Sequence, residues 1–274
     1  MRAIKSLARA GLRAVGFQGR LRQNGTVEIS PLVKLGRRHV ADIRYILGGR
    51  VEMIFDVGAN EGQTVRALAP AFPRAQIHSF EPDPGAFLRL REVARRFDRV
   101  HIHNVALGAE AGEAKLFRFA MDQTNSLLPK ARGAELFVGD PEYLNEVGTT
   151  SVTVDTADAF CAAHAITRID LLKTDAQGFD LEVLKGAQGL LDAGAVSLVY
   201  AEVCFVPQYE GQPLFPDIYQ FLYARGFRLV GLYESGFVTH CYQVGGNGLF
   251  VHERLGPLKK RQPRFRLGRV RILW

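Results

Sequence analysis

The chain has 274 residues, 47% of them hydrophobic and 23% charged, which is enough to bury a full core in one large domain. No apolar run approaches the roughly 20 residues that a membrane-spanning helix requires. The three cysteines, Cys161, Cys204 and Cys241, are far apart and lack the spacing of metal ligands. Such sparse cysteines are typical of buried thiols in a reducing compartment, so we expect a cytoplasmic protein.

The net charge of +7 is divided unevenly along the chain. Residues 1–50 carry 11 lysines and arginines against 2 acids, and residues 253–274 carry 8 against 1. Residues 51–252 hold 16 basic and 25 acidic side chains, so an acidic body lies between two basic ends. We therefore predict a basic helical N-terminal extension over 1–50, a globular domain over 51–252 and a basic tail over 253–274. The acidic body disfavours nucleic-acid binding, whereas the ends suit an anionic surface.

The first residues have the pattern of a basic amphipathic helix. Within 2–17, three basic residues recur every four positions opposite small and apolar residues: Lys5, Arg9 and Arg13. This helix would either lie on anionic membrane headgroups, as a peripheral contact, or pack against the body. A linker rich in Gly, Asn and Gln over 18–30 and a short helix over 37–48 should follow.

The sequence IFDVGANEGQT, residues 54–64, combines a buried strand, a glycine turn and the start of a helix. The glycines let the backbone turn with positive φ and approach a ligand closely. Free N–H groups of the helix that begins at Gln63 would point back over this turn. Together these features predict a nucleotide-type pocket at the carboxyl end of a parallel strand.

The acids near this turn indicate which nucleotide fits. Asp56 precedes the turn, and Glu81 follows the next predicted strand, 76–80, at the distance where an acid binds ribose hydroxyls. The spacing G-x-N-x-G departs from the G-x-G-x-x-G of dinucleotide sites, and no basic residue lies between Gly58 and Thr64. This pattern favours S-adenosylmethionine over NAD. A nucleotide-dependent oxidoreductase is the alternative.

Strands continue to alternate with helices, which predicts a parallel sheet built from βαβ units. The further predicted helices cover 84–97, 157–164 and 215–227, and the further predicted strands cover 100–108, 112–119, 151–154, 195–205, 228–234 and 248–253. His101 and His103 share a face of one strand, where we expect packing or solvent exposure rather than metal binding. The irregular stretch 120–149 has the length of a functional loop, and we interpret it as a lid over the substrate side.

A second group of polar residues follows the apolar strand around 169–172. The group at this strand end and near the end of the following strand consists of Lys173, Asp175, Gln177, Asp180 and Glu202. Because ligands in open α/β sheets bind beyond the carboxyl ends of the strands, these side chains should face the glycine turn.

Several motifs occur in a fixed order over roughly residues 50–252: DVGANEGQT, SFEPDP, NVALG, KTDAQGFDLEVLKGA and the strand with Glu202. They resemble the FkbM family of S-adenosylmethionine-dependent methyltransferases. The resemblance implies a seven-strand Rossmann-like α/β sheet, mostly parallel with the last strand antiparallel, and helices on both faces. It also implies O-methylation of a hydroxyl on a sugar, a glycan or another small metabolite. Asp180 stands where many members have Glu, and the basic ends fall outside the match.

The expected cofactor is S-adenosyl-L-methionine, with no metal. The predicted cofactor-binding residues are Asp56, Gly58, Asn60 and Gly62 on the methionine and ribose side, Glu81 at the ribose hydroxyls, and Asn104 with Ala106 beside the adenine. Asp175 is the first choice for the base, with Glu202 or His240 as alternatives. Lys173 would hold Asp175 ionised or orient the acceptor.

A third class of function also stays open, beside the transferase and the oxidoreductase. A non-catalytic scaffold would keep the fold and bind membrane or polyanion through the basic ends. The acceptor is not encoded in any motif of the chain. Its specificity would reside in loops, for which 120–149 and 206–216 are the candidates.

Overall fold

The computed structural model describes residues 35–138, 140–238 and 242–256, and the backbone of two strands nearer the N-terminus. These strands, β1 (Phe17–Leu21) and β2 (Val27–Pro31), pair antiparallel. A strand pair therefore occupies most of the predicted linker 18–30, because two short extended segments satisfy each other's backbone groups. Apart from Phe17, the predicted helix over 2–17 lies outside the described residues, and so does the basic tail beyond residue 256.

Gly36–Pro257 forms one compact unit. Its helices are α1 (His39–Leu47), α2 (Gln63–Ala71), α3 (Pro84–Ala94), α4 (Ala157–Ala163), α5 (Asp180–Lys185), α6 (Gln188–Asp192) and α7 (Phe215–Ala224). Its strands are β3 (Met53–Val57), β4 (Gln76–Phe80), β5 (Val100–His103), β6 (Ala106–Leu107), β7 (Gly112–Phe119), β8 (Glu146–Asp155), β9 (Ile169–Thr174), β10 (Val196–Cys204), β11 (Phe227–Val238) and β12 (Tyr242–His252). Short 3-10 helices lie at Asp122–Thr124, Ala134–Phe137, Pro141–Leu144 and Glu253–Leu255.

Seven strands form the central sheet in the order β11-β12-β10-β9-β3-β4-β5. All neighbours from β10 to β5 run parallel. The last strand, β12, is antiparallel to both β10 and β11. The predicted Rossmann-like sheet with an antiparallel last strand is therefore confirmed. The strand order reverses between β3 and β9, which is where such sheets bind ligands.

Helices cover both faces of this sheet, as predicted. On one face Phe160 of α4 and Leu222 of α7 pack with Phe55 of β3. On the other face Ile43 of α1 and Leu68 of α2 pack with strand residues that include Ile54 and Leu198. Each such buried side chain contributes about 1.5–3 kcal/mol to folding. Since α1 supplies core residues, the predicted domain boundary at residue 51 falls inside the compact unit, which begins at Gly36.

The predicted strand over 100–108 is divided in the structure. β5 ends at His103, and β6 leaves the central sheet to join a three-stranded sheet of order β6-β8-β7. The break occurs at Asn104, whose side-chain Nδ2 donates hydrogen bonds to the carbonyl oxygens of Glu81 (2.8 Å) and Pro82 (3.1 Å). These bonds tie the chain to the end of β4, so that the extended segment cannot continue beside it.

The predicted loop over 120–149 contains more regular structure than its sequence indicates. Three of the 3-10 helices lie in it, and β8 already begins at Glu146 because it pairs antiparallel with the full length of β7. Ala134 and Leu144 from this segment pack with Phe119 and the fully buried ring of Tyr209. In the part of the chain that the structure describes, no helix is both long and apolar enough to cross a membrane.

Candidate functional site

A cavity of about 300 Å³ lies beyond the ends of β3, β4, β9 and β10. One part of its wall comes from Gly58 and Asn60 in the turn after β3 and from Glu81 after β4. Another part comes from Asp175 after β9 and from Glu202 on β10. The segment after β7 completes the wall with five residues: Asp122, Gln123, Asn125, Ser126 and Leu127. Residues predicted from two distant motifs thus share one cavity.

The turn between β3 and α2 has the backbone form that its glycines predict. Gly58 has a φ of +71°, and a Cβ at this position would lie 1.8 Å from the carbonyl oxygen of Asp175. Asn60 also has a positive φ, +44°. Gly62, with a φ of +86°, lies against Leu90 and Val93 of α3 and does not line the cavity. In the described structure it caps α2 where α3 approaches, and its expected contact with the cofactor stays a prediction.

Asp56 does not occupy the predicted position in the cavity wall. Its side chain is fully buried, and its Oδ1 lies 3.1 Å from Nζ of Lys173. Its Oδ2 accepts a long hydrogen bond of 3.4 Å from the hydroxyl of Ser79. Asp56 is directed into the sheet end because it shares a strand face with Ile54, which packs into the core. In the described structure Asp56 therefore supports the turn indirectly, and its expected contact with a ligand stays a prediction.

Lys173 joins this buried carboxylate to the glycine turn. Its ammonium group donates to the carbonyl oxygens of Gly58 at 2.9 Å and Val57 at 3.2 Å, and Asp175 Oδ2 lies 3.8 Å away. Burial alone would lower the pKa of Lys173, but the carboxylates of Asp56 and Asp175 raise it above its ordinary value. The charged ammonium thus fixes the turn backbone relative to β9, and Asp175 lies beside a cation, as the sequence predicted.

Glu81 is buried at the edge of the cavity, with both carboxyl oxygens bound by backbone N–H groups. Asn60 N–H donates to Oε2 at 2.7 Å, and Asp83 N–H donates to Oε1 at 2.8 Å. Burial raises the pKa of Glu81 to about 7, although these two hydrogen bonds oppose the rise. The carboxyl group therefore changes charge near neutral pH while it connects the glycine turn to the end of β4.

The two residues predicted to border an adenine have different positions. Ala106 lies in the cavity wall beside Leu107, Pro82 and Phe80, which form an apolar patch near Glu81. Asn104 is exposed and is not part of the wall. Its side chain instead holds the chain after β4 in place through the two carbonyl hydrogen bonds described above. The adenine contact expected of Asn104 stays a prediction.

Asp175 and Glu202, the two predicted carboxyl candidates for the base, are brought together through Gln177. The Nε2 of Gln177 lies 2.9 Å from Asp175 Oδ1 and 3.2 Å from Glu202 Oε2. The Asp175 side chain is 38% exposed. Burial, together with the carboxylates of Asp175 and Asp180, raises the pKa of Glu202 well above its ordinary value. His240, the other predicted alternative, lies outside the described residues.

Sequence reasoning missed two residues that support this site. Ser126 is buried, and its hydroxyl donates a hydrogen bond of 2.6 Å to the carbonyl oxygen of Gln177. The hydroxyl of Tyr209 lies 3.0 Å from Gln177 Oε1 and 2.8 Å from the carbonyl oxygen of Thr124. Ser126 lies in the sequence TNSLL, residues 124–128, which resembles a Ser-Leu segment of the FkbM family but is not distinctive enough to assign a role. Nothing in the local sequence indicated Tyr209, because its contacts are made across the fold.

The histidines of β5 lie away from this cavity. His78 Nδ1 and His103 Nε2 are 3.1 Å apart, and the rings of His103 and Phe160 are in edge contact at 4.8 Å. The exposed ring of His101 stacks on His78 at 4.9 Å. Among the described residues, no group of three or more His, Cys, Asp or Glu side chains is arranged to hold a metal ion.

Comparison with known protein families gives one match that covers most of the chain. Residues 56–229 match the methyltransferase FkbM domain. The chain belongs to this methyltransferase family. The matched region begins at Asp56, before the glycine turn, and extends into β11, so that it includes every described side chain of the candidate site.

Individual relatives are more distant. The 2-O-methyltransferase NoeI of Sinorhizobium fredii (strain NBRC 101917 / NGR234) is 28% identical over 187 residues, which cover 67% of this chain and 75% of that protein. The structure of magnesium protoporphyrin IX methyltransferase from Synechocystis PCC 6803, with bound SAM, matches at 11% identity and a TM-score of 0.43, covering 78% of this chain and 76% of that one. Fibrillarin from Aeropyrum pernix, with natively bound S-adenosyl-L-methionine, matches at 12% identity and a TM-score of 0.38, covering 86% and 94%. The assignment of this FkbM methyltransferase therefore rests on the family match.

Proposed function

We propose that this FkbM methyltransferase is an S-adenosylmethionine-dependent O-methyltransferase that acts on a hydroxyl of a sugar, a glycan or another small metabolite. The observation that carries the proposal is the single cavity shared by the glycine turn, Glu81 and Asp175. A cofactor pocket and a proton acceptor are what methyl transfer to a hydroxyl requires. The name of the relative NoeI, a 2-O-methyltransferase, supports a hydroxyl acceptor.

The residues around the glycine turn fit the cofactor. Gly58 and Asn60 bring the turn backbone to the cavity wall, and Glu81 offers a carboxyl group to ribose hydroxyls. Ala106, Leu107 and Pro82 supply an apolar wall for the adenine. When bound, S-adenosylmethionine supplies an electrophilic methyl group on a sulfonium. Asp56 and Lys173 contribute by holding the turn in place from beneath.

The carboxyl side of the cavity fits a neutral hydroxyl acceptor. Asp175 is partly exposed there. Lys173, the basic residue of the described cavity wall, already donates to the carbonyl oxygens of Gly58 and Val57 and forms an ion pair with Asp56. The wall is acidic, and the ammonium group of Lys173 is already bound by protein groups. Such a wall disfavours an acceptor that carries a carboxylate or a phosphate. Asp175 is placed to accept the hydroxyl proton as the methyl group is transferred.

The cofactor part of this proposal predicts pH-dependent binding of S-adenosylhomocysteine. Ribose hydroxyls donate hydrogen bonds to the ionised form of Glu81, whose pKa is about 7 in the free protein. Below that pH the Glu81 carboxyl group must lose its proton before the ligand binds. The affinity for S-adenosylhomocysteine should therefore be about tenfold weaker at pH 6 than at pH 8. Titration calorimetry over this range, in buffers of different ionisation enthalpy, measures both the affinity and the released proton.

The matched variant is Glu81→Gln, which keeps the shape of the side chain and removes its charge. It should bind S-adenosylhomocysteine more weakly at pH 8 and lose most of the pH dependence. Tight binding of NADH, with none of S-adenosylhomocysteine, would instead support the oxidoreductase alternative. A screen of neutral sugars and polyols with methyl-labelled cofactor then searches for the acceptor.

A further inference from the structure

Gln177 occupies a strained position between the two carboxyl groups at the end of the cavity. It has a φ of +49°, which is uncommon for a residue with a side chain. Its side-chain amide has two N–H groups, and two carboxyl groups lie within reach of the nitrogen, Asp175 at 2.9 Å and Glu202 at 3.2 Å. One N–H is therefore available for each carboxyl group.

The surrounding structure holds this amide in one orientation. Its Oε1 lies 3.0 Å from the hydroxyl of Tyr209, a buried residue whose single hydroxyl proton is shared between this oxygen and the carbonyl oxygen of Thr124. The hydroxyl of Ser126 donates to the Gln177 carbonyl oxygen and fixes the backbone. At Gly178 a Cβ would lie 2.9 Å from the Tyr209 ring, so the loop and the ring are in close contact. With Oε1 placed at a hydroxyl, the N–H groups are directed at the carboxyl groups.

The local charges explain why this pair needs a neutral donor. Lys173 from β9 is the cation that faces these carboxyl groups, and its nearest carboxylate is Asp56. Glu202 also faces Asp175 and Asp180, with Cys204 on its own strand and Tyr209 from the following loop nearby. Burial and Asp175 raise the pKa of Asp180 to about 6. An uncharged amide can bring two acids together without adding another ion to desolvate.

We propose that Gln177 is a positioning residue that holds Asp175 and Glu202 as one proton-accepting pair beside the methyl acceptor. This inference rests on the proposed O-methylation. In that reaction a bond forms between the acceptor oxygen and the methyl carbon, the carbon–sulfur bond breaks, and its electron pair stays on sulfur. The hydroxyl proton passes to Asp175. Gln177 binds Oδ1 of Asp175, which leaves Oδ2, with its longer 3.8 Å contact to Lys173, available for that proton.

The test replaces Gln177 by leucine, which is similar in size but has no N–H donor. The readout is the pH midpoint of the Glu202 carboxyl band in infrared difference spectra of the full chain labelled with carboxyl-¹³C glutamate. Glu202→Gln identifies this band by removing it. Without the amide donor the ionised form of Glu202 is less stable, so Gln177→Leu should raise the midpoint by about one pH unit. An unchanged midpoint in a folded Gln177→Leu protein overturns the proposal.

Two further variants separate positioning from general stability. Gln188→Leu changes an exposed glutamine at the start of α6 and should leave the midpoint unchanged. Tyr209→Phe keeps the packed ring and frees the amide, so it should raise the midpoint by a smaller amount in the same direction. If Gln177→Leu does not fold, the Tyr209→Phe midpoint decides the question, and no shift there also overturns the proposal.

The proposed cofactor binding and the proposed role of Gln177 are tested by separate measurements, so either one can be contradicted alone. Wild-type protein that does not bind S-adenosylhomocysteine contradicts the proposed function, whereas the infrared midpoints still report whether Gln177 governs the pair. With any sugar hydroxyl that the labelled-cofactor screen identifies, Gln177→Leu should lower kcat at least tenfold with KM nearly unchanged. The low-pH side of the pH profile of kcat should also move to higher pH in Gln177→Leu. A purely structural role of Gln177 would not produce this shift.

Discussion

Lys173 shows how a single buried residue organises the site. Its side chain is 5% exposed, and that of its partner Asp56 is 0% exposed. Taking both charges out of water is costly, and their attraction offsets that cost only when the pair is intact and its other polar atoms are satisfied. The carbonyl oxygens of Gly58 and Val57 satisfy the ammonium group, so the same interaction that neutralises Asp56 also fixes the turn.

Lys173→Met should therefore destabilise the protein by about 3–5 kcal/mol, because it leaves the Asp56 carboxylate buried without its cation. Urea unfolding followed by circular dichroism measures the free energy of unfolding. The double variant Asp56→Asn/Lys173→Met also removes the unpaired Asp56 carboxylate. It should regain at least half of the free energy of unfolding that Lys173→Met loses. Equal losses in the single and double variants would mean that the ion pair is not the origin of the effect.

At the scale of elements, the connection from β3 to α2 is limited by its contact with the end of β9. Gly58 combines a positive φ with a backbone neighbour where its Cβ would be. Gly133, at the start of a 3-10 helix, has a similar φ of +82° but open space around it. The two glycines thus separate the conformational effect of a side chain from its steric effect.

Gly58→Ala should destabilise the protein by about 3 kcal/mol or more, since both strain at positive φ and collision with the Asp175 carbonyl contribute. It should also abolish binding of S-adenosylhomocysteine, because the turn must move away from β9. Gly133→Ala should cost only about 1 kcal/mol and leave binding intact. Thermal unfolding and calorimetry on both variants test this difference, and similar losses in the two would contradict it.

The sequence was sufficient where the structure depends on local patterns. The apolar run before Gly58, the glycine turn and the apolar run before Lys173 predicted β3, α2 and β9, and their order predicted that Glu81 and Asp175 share a cavity. It was insufficient where a side chain acts over a long range. Asn104 ends β5 through carbonyl groups more than 20 positions away, which no local pattern encodes.

The position of Asp56 illustrates the same limit within a correctly predicted strand. Alternation places Asp56 on one face of β3, but its burial is decided by Lys173 on the neighbouring strand β9, with which it is paired in register. Similarly, the role of Gln177 depends on Tyr209, which lies 32 positions away. Residue types and strand ends are readable from one sequence, whereas the pairing of side chains between strands requires the register.

For the whole molecule, charge is distributed by region. The acidic residues that line the cavity belong to the compact unit Gly36–Pro257. The basic stretches expected to contact an anionic membrane lie almost entirely outside the described residues, so a peripheral membrane contact stays a prediction. Its test is sedimentation with anionic vesicles before and after deletion of residues 1–16.

The stability of the whole unit should depend on pH through the histidines beside β5. Burial and the neighbouring histidines lower the pKa values of both His78 and His103 to about 4. The folded protein therefore excludes protons that the unfolded chain takes up below about pH 6.5. The stabilising contribution is complete above pH 6.5 and is lost as the pH falls toward 4. The raised pKa values of Glu81 and Asp180 change the free energy of unfolding with pH in the opposite direction. Only a comparison of variants therefore isolates the contribution of the histidines.

The double variant His78→Phe/His103→Phe should lose less stability on acidification than the wild type. Both rings already pack among Phe55, Phe80 and Phe160, so phenylalanine fits the surroundings. After halving for solvent screening at these half-buried positions, the two groups account for about 2 kcal/mol at pH 5, or about 5 °C in Tm. Calorimetric scans at pH 7.5 and pH 5 measure the change. Gln188→Leu, at an exposed position of α6, should lose as much stability on acidification as the wild type. Parallel losses in all three proteins would exclude the histidines as the source.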